Sequence, residues 1–184
     1  MLLIQKMAFT AIIACSFTAS ASSSADPVDA AAAVAAHNEW RAKVSVPELT
    51  WSAALETRAE LWASQLQQQD CQMKHSGPGE NLYWAGPRQK ATSKDTSGNW
   101  IWKNSLQDVD EARVVDAWGS EVQWYDYAEN ACKAPADKSC GHYTQVVWKN
   151  TVEVGCAKAA CSDSSQVWVC NYAPAGNVRG SKPY

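Results

Sequence analysis

Residues 140–151 read CGHYTQVVWKNT and contain one of the three histidines of this 184-residue chain. The Val, Tyr, Thr and Trp residues of this stretch are typical of β-structure. They predict a strand from His142 to Trp148, in which alternate side chains would share one face. His142 would then be a packed core histidine, a catalytic base or a metal ligand, and the stretch alone does not decide among them.

The surrounding sequence predicts helices first and strands last. Three segments have helical spacing of apolar residues, namely Val28–Lys43, Leu49–Gln69 and Asp110–Trp124. Two further strands are predicted at Glu153–Ala157 and Gln166–Tyr172, with a hairpin turn between them at Ser162–Ser165. The polar segment Ala85–Asn99 reads as an exposed loop. This order predicts an α+β fold with helices packed on an antiparallel sheet.

The first residues have the pattern of a secretory leader. Lys6 is followed by the apolar run Met7–Ala14, and Ala19-Ser20-Ala21 fits a cleavage site after residue 21. We therefore expect a signal peptide over residues 1–21, a linker and the start of the first helix over 22–35, and one domain over 36–184. Cys15 leaves an alternative open, a bacterial lipoprotein anchored through that residue.

The overall charge and composition argue against several classes of partner. The chain carries a net charge of −3 and no basic stripe, which argues against a nucleic-acid partner. The same acidic balance argues against simple electrostatic docking on anionic lipid. After the leader no apolar run approaches the length of a transmembrane helix. We expect an exported monomer without a transmembrane helix.

Six cysteines remain when Cys15 is set aside. An even number in an exported chain predicts three disulfides, and the spacings do not resemble those of a zinc finger. The sequence by itself leaves the pairing open. The six residues are Cys71, Cys132, Cys140, Cys156, Cys161 and Cys170.

Five blocks of the sequence together resemble a known superfamily. They are HNEWRAKV, CQMKHSGPGENLYWA, CGHYTQVVWKNT, GCA and VWVCNYAPAGN, followed by a Pro-Tyr ending. They are similar to the CAP superfamily of cysteine-rich secretory proteins, antigen 5 and pathogenesis-related protein 1, and most similar to the last branch. The resemblance covers residues 36–184. It implies a three-layer α-β-α sandwich with a short mixed sheet, and the disulfides Cys71–Cys161, Cys132–Cys140 and Cys156–Cys170.

The resemblance also implies a cleft lined by His75, Glu80, Glu121 and His142. Two neutral imidazoles can hold Zn²⁺, and two carboxylates can orient them by accepting hydrogen bonds from the ring N–H groups. The alternative is that the four side chains satisfy one another in a buried polar network. His37 is expected to be a packing or helix-surface residue.

The family's properties lead us to expect a secreted protein that binds a sterol or another small lipid, with a defence- or virulence-type extracellular role. Trp84, Trp100 and Trp102 are candidates for the lipid groove, although each could equally pack in the core or a loop. One alternative is a metal-dependent hydrolase with Glu80 or Glu121 as general base. Another is a precursor whose residues 174–184 are released as a signalling peptide. We expect binding rather than catalysis.

Overall fold

The computed structural model describes residues 27–184. The predicted leader, the start of the linker and Cys15 lie outside these residues. The helices are α1 (Ala30–Ala42), α2 (Ala53–Gln68), α3 (Glu111–Gly119) and α4 (Gly141–Val146), and a 3₁₀ turn covers Ser120–Trp124. The strands are β1 (Thr50–Trp51), β2 (Glu80–Ala85), β3 (Arg88–Lys94), β4 (Trp100–Ser105), β5 (Tyr125–Asp126), β6 (Ala131–Cys132), β7 (Glu153–Ala160) and β8 (Gln166–Ala173).

The central sheet has the strand order β1-β7-β8-β2. The short β1 runs parallel to β7, whereas β7–β8 and β8–β2 are antiparallel. The sheet is therefore mixed, as the resemblance implied, and not purely antiparallel as the strand pattern predicted. The difference lies at Thr50–Trp51, which was predicted as the start of a helix but pairs with Glu153 and Val154 before α2 begins.

Both faces of the central sheet are covered, which gives three layers. Along β7 and β8, alternate residues pack into two separate clusters. Val154, Trp168 and Tyr172 join a core that also contains residues of α1, α3 and α4. Val167 and Val169 face the opposite way and pack with Ala59, Ala63 and Leu66 of α2. A strand buried on both faces has nearly continuous apolar sequence, which explains why VWVC lacks polar alternation.

Three disulfides join distant parts of this frame, in the pairing that the resemblance implied. Cys71–Cys161 ties the segment after α2 to the end of β7, across 90 residues of sequence. Cys156–Cys170 links two directly opposed residues of β7 and β8. Cys132–Cys140 closes a short loop of sequence separation 8 immediately before α4.

The predicted strand at His142–Trp148 is wrong, because Gly141–Val146 forms α4. Tertiary contacts at both ends of the helix overcome the β-propensity of its residues. At the start, the Glu121 carboxylate accepts the free backbone N–H groups of His142 and Tyr143. At the end, the buried Arg41 guanidinium donates to the carbonyl oxygens of Val146 and Trp148, both at 2.9 Å. Free helix-end groups are thus satisfied from outside the segment.

The predicted loop at Ala85–Asn99 is also wrong in its backbone, although its exposure was predicted correctly. Residues 88–94 form β3 and pair with β4 in an antiparallel hairpin, with an irregularity between Ala91 and Ser93. We call residues 88–105 the Trp hairpin. Neither face of the hairpin is covered by the rest of the protein, so its strands do not need alternating apolar residues. Without that alternation, the polar sequence does not have the pattern by which a strand is recognised.

Candidate functional site

His75 and Glu80 form the first of two histidine–carboxylate pairs. They lie at the two ends of the turn before β2, and His75 Nδ1 is 3.0 Å from Glu80 Oε1. The Glu80 side chain is fully buried and also accepts the backbone N–H and the hydroxyl of Ser76. The carboxylate is therefore held in place by several donors, while half of the His75 side chain remains exposed.

His142 and Glu121 form the second pair. Glu121 lies in the 3₁₀ turn after α3, and its Oε1 is 2.7 Å from His142 Nδ1. Its other oxygen accepts the backbone N–H of His142 at 3.0 Å and that of Tyr143 at 3.1 Å. One carboxylate thus orients the imidazole and also satisfies the start of the helix that carries it.

Two further residues position His142, and the sequence reasoning did not assign them to the site. The Trp118 ring stacks on the His142 ring, with the centroids 6.3 Å apart and an angle of 19° between the planes. Its indole N–H donates to the carbonyl of Leu82 on β2. Asn81 follows Glu80 directly and donates to the carbonyl of His142 at 3.1 Å. Asn81 therefore connects the two pairs. In the sequence, the only sign of this role is that Asn81 follows Glu80 directly in GENL.

A buried hydrogen-bond chain lies behind Asn81 and ends at His37. His37 Nδ1 is 2.7 Å from the carbonyl oxygen of Ala33, which can only accept, so the proton is on Nδ1. His37 Nε2 then accepts from the Tyr172 hydroxyl at 2.8 Å, and that hydroxyl oxygen accepts from Asn81. Burial lowers the pKa of His37 to about 4 despite the favourable carbonyl contact. His37 is therefore a packing residue, neutral at physiological pH.

The donor set of the two pairs is suited to a metal ion. A carboxylate can only accept, so each imidazole presents its Nδ1 proton to its partner, and in the neutral form of the ring this leaves the lone pair on Nε2. Within residues 27–184 neither Nε2 has a protein partner. A metal-bound histidine commonly has this arrangement of ring nitrogen and carboxylate. In the same part of the chain, no group of three His, Cys, Asp or Glu side chains is arranged around one metal position.

The three candidate groove tryptophans are all exposed. Trp100 and Trp102 lie on β4 and share one face of the Trp hairpin, with exposed fractions of 56% and 57%. Trp84 lies on β2, is 47% exposed and packs its ring over Gly86. None of the three belongs to either core cluster of the described chain. Core packing is thereby excluded as the role of Trp100 and Trp102.

The C-terminal segment 174–184 is irregular and mostly exposed, but it contacts the body at several points. Gly176 donates its backbone N–H to Gln145, and Thr144 donates to the Asn177 side chain. The Tyr184 ring stacks on Tyr127 with the centroids 4.6 Å apart, and its hydroxyl meets that of Tyr143. Release of this segment as a peptide would separate it from α4 and from the loop before β6.

The described residues thus form a disulfide-linked three-layer sandwich with two histidine–carboxylate pairs beside an edge strand of its sheet. The sequence pattern described as "Cysteine-rich secretory protein family" (CAP) matches residues 34–172. The chain belongs to this family.

Relatives with curated names agree with this assignment. Pathogenesis-related protein PRMS of Zea mays is 43% identical over 150 residues, which cover 80% of this chain and 77% of the relative. Pathogenesis-related protein 1A of Nicotiana tabacum is 40% identical over 151 residues, covering 81% and 77%. The crystal structure of NaASP2 with Zn²⁺ matches the fold with a TM-score of 0.59 and 24% identity, covering 84% of this chain and 83% of that one.

Proposed function

We propose that this chain is an extracellular binding protein of the pathogenesis-related 1 type, and that His75 and His142 hold a divalent metal ion, Zn²⁺ in the first instance. The observation that supports this most is that both histidines have Nδ1 hydrogen-bonded to a carboxylate, while Nε2 has no partner among residues 27–184. Three disulfides and the similarity to pathogenesis-related proteins support export. A bound metal would supply a Lewis-acid centre with positions open to a ligand.

The contacts of the two glutamates favour binding over hydrolysis. Glu80 accepts from His75 and from two donors of Ser76, and Glu121 accepts from His142 and from two backbone N–H groups. A general base needs an oxygen within reach of the proton it removes. Both carboxylates instead orient imidazoles. A hydrolase therefore remains the alternative with less support.

Isothermal titration of the metal-free protein with Zn²⁺ tests the metal proposal. We expect one site in the wild type and no measurable site after His75→Ala combined with His142→Ala. His37→Gln is the matched control, because it removes the third histidine from outside the cleft and should leave Zn²⁺ binding intact. Unchanged affinity in the double variant would overturn the proposal, provided that thermal unfolding shows the variant to be folded.

Binding of a sterol or another small lipid is the second candidate function. The exposure of Trp84, Trp100 and Trp102 supports it, since exposed aromatic side chains commonly line apolar ligand sites. A radiolabelled sterol should bind the purified protein saturably. Trp84→Ala should weaken this binding if the site includes β2. A protein that shows no saturable sterol binding would remove this candidate without affecting the metal proposal.

A further inference from the structure

The Trp hairpin is unlike the rest of the molecule because it projects from it. Every residue from 92 to 104 is exposed, on both faces of the ribbon. Asn104 donates its side-chain N–H to the carbonyl of Asp163, which holds the base of the hairpin against the turn between β7 and β8. A two-stranded ribbon without cover on either face is marginally stable in water. Packing within the free protein therefore does not explain which side chains the hairpin carries.

The register of the hairpin sorts its side chains into an aromatic face and a basic face. Trp100 and Trp102 lie on one face, opposite Lys94 and Ala91 of β3. The Lys94 ammonium lies over the Trp100 ring, 4.9 Å from its centroid. The other face carries Arg88, Lys90 and Lys103.

The charge of the hairpin is opposite to that of the whole chain. Residues 88–105 contain four cations and one acid, a net charge of +3, whereas the whole chain carries −3. The acid, Asp95, is engaged in the turn, where its carboxylate accepts the backbone N–H groups of Ser97 and Asn99. Among residues 27–184, no carboxylate forms an ion pair with any of the four hairpin cations. The net charge of the whole sequence does not show that the hairpin is locally basic.

Lys90 and Lys103 stand directly opposite each other in the ladder. Like charges at opposed positions of an antiparallel pair are destabilising. Within the described chain this repulsion is uncompensated, and an anionic partner would relieve it. The pair is therefore evidence for negative charge in the partner, independent of the tryptophans.

We propose that the Trp hairpin docks the protein on an anionic lipid bilayer surface. An amphipathic helix with Trp on one face and Lys and Arg on the other lies in the membrane interface, with its apolar face at the headgroup boundary. The hairpin divides its side chains in the same way. Trp prefers this depth because its ring is apolar and its N–H is polar. The long lysine side chains reach the headgroups from either face. No helix of residues 27–184 is long and apolar enough to cross a bilayer.

Co-sedimentation of the purified protein with sterol-free vesicles tests this proposal. We expect binding to phosphatidylcholine vesicles that contain phosphatidylglycerol, little binding to phosphatidylcholine alone, and weakening as salt is raised. Lys90→Gln with Lys103→Gln should reduce the partition coefficient about thirtyfold, since each cation near an anionic surface contributes about five- to sixfold. Trp100→Ala with Trp102→Ala should reduce it by at least about tenfold.

Matched control variants distinguish the effect of the hairpin from the effect of net charge and from the effect of the two metal-site histidines. Lys138→Gln with Lys149→Gln removes the same charge from exposed positions outside the hairpin and should change binding less than about threefold. His75→Ala with His142→Ala should bind vesicles as the wild type does, whatever becomes of Zn²⁺ binding. The proposal fails if the wild type does not prefer anionic vesicles, or if the hairpin variants sediment as the wild type does. Hairpin-dependent binding to polygalacturonate without binding to vesicles would also overturn it, and would assign the hairpin to acidic polysaccharide.

Discussion

The two histidine–carboxylate pairs and the Trp hairpin both gather aromatic and charged side chains, but they are held in opposite ways. The groups around the pairs are fixed by contacts from remote parts of the chain, for example Glu121 to His142 and Trp118 to Leu82. The hairpin is held mainly by its own two strands, and its side chains point into solvent. A site fixed from many directions is suited to a small ligand such as a metal ion. An exposed ribbon is suited to a surface.

Loss of the Cys71–Cys161 bond should have the largest effect on the frame that supports the cleft. The bond closes a loop of sequence separation 90, and Cys71→Ala with Cys161→Ala should lower the free energy of unfolding by about 4.5 kcal/mol. Cys132→Ala with Cys140→Ala opens a loop of separation 8 and should cost about 2.5 kcal/mol. Denaturant unfolding measures both values. Equal losses of unfolding free energy in the two variants would show that loop length does not determine how much each disulfide stabilises the protein.

Acid should destabilise the cleft side of the molecule through His37. Its pKa is about 4 in the folded protein and about 6.5 in the unfolded chain, so the unfolded state binds the proton more readily. The stabilisation is complete above pH 6.5 and is lost as the pH falls towards 4, where about 3 kcal/mol should have gone. His37→Gln should remove this contribution, because glutamine does not titrate, so its stability should fall less steeply than that of the wild type between pH 6.5 and 4.

A wild type and a His37→Gln variant with the same slope between pH 6.5 and 4 would contradict this assignment. The carboxylates do not confuse the test, because they are common to both proteins. The comparison also tests the assignment of donors and acceptors in the buried hydrogen-bond chain. A second proton on His37 would leave the Tyr172 hydroxyl hydrogen without an acceptor.

The resemblance pointed to the four residues of the two histidine–carboxylate pairs, whereas the local sequence pattern missed the hairpin, and the reason is physical. The resemblance placed His75, Glu80, Glu121 and His142 together, although it could not show that they divide into two pairs joined by Asn81. The helix α4 was mistaken for a strand because its ends are satisfied by Arg41 and Glu121, which lie 100 and 20 positions away from Gly141 and outside any local window. The hairpin was taken for a loop because strands exposed on both faces lack the alternation that identifies a strand.

Two asparagines provide a direct comparison of the two regions. Asn81 is 1% exposed and donates to both the His142 carbonyl and the Tyr172 hydroxyl. Asn81→Ala should lower stability by about 2 kcal/mol, because it leaves a buried acceptor unpaired. Asn104 also makes two side-chain hydrogen bonds but is exposed, and Asn104→Ala should cost less than about 0.5 kcal/mol. Similar losses from both changes would show that the hairpin is more tightly joined to the body than its exposure indicates.

The smallest effect on stability is expected from the tryptophans of the hairpin. Trp100→Ala with Trp102→Ala should change the free energy of unfolding by less than about 0.5 kcal/mol, since both rings are mainly exposed and belong to neither core cluster. Trp118→Phe, which removes one buried N–H donor, should cost about 1 kcal/mol by comparison. Denaturant unfolding with circular dichroism measures both changes. A loss above about 1 kcal/mol in the hairpin variant would mean that these rings pack on the body in the free protein. Their exposure would then no longer support a membrane-binding surface.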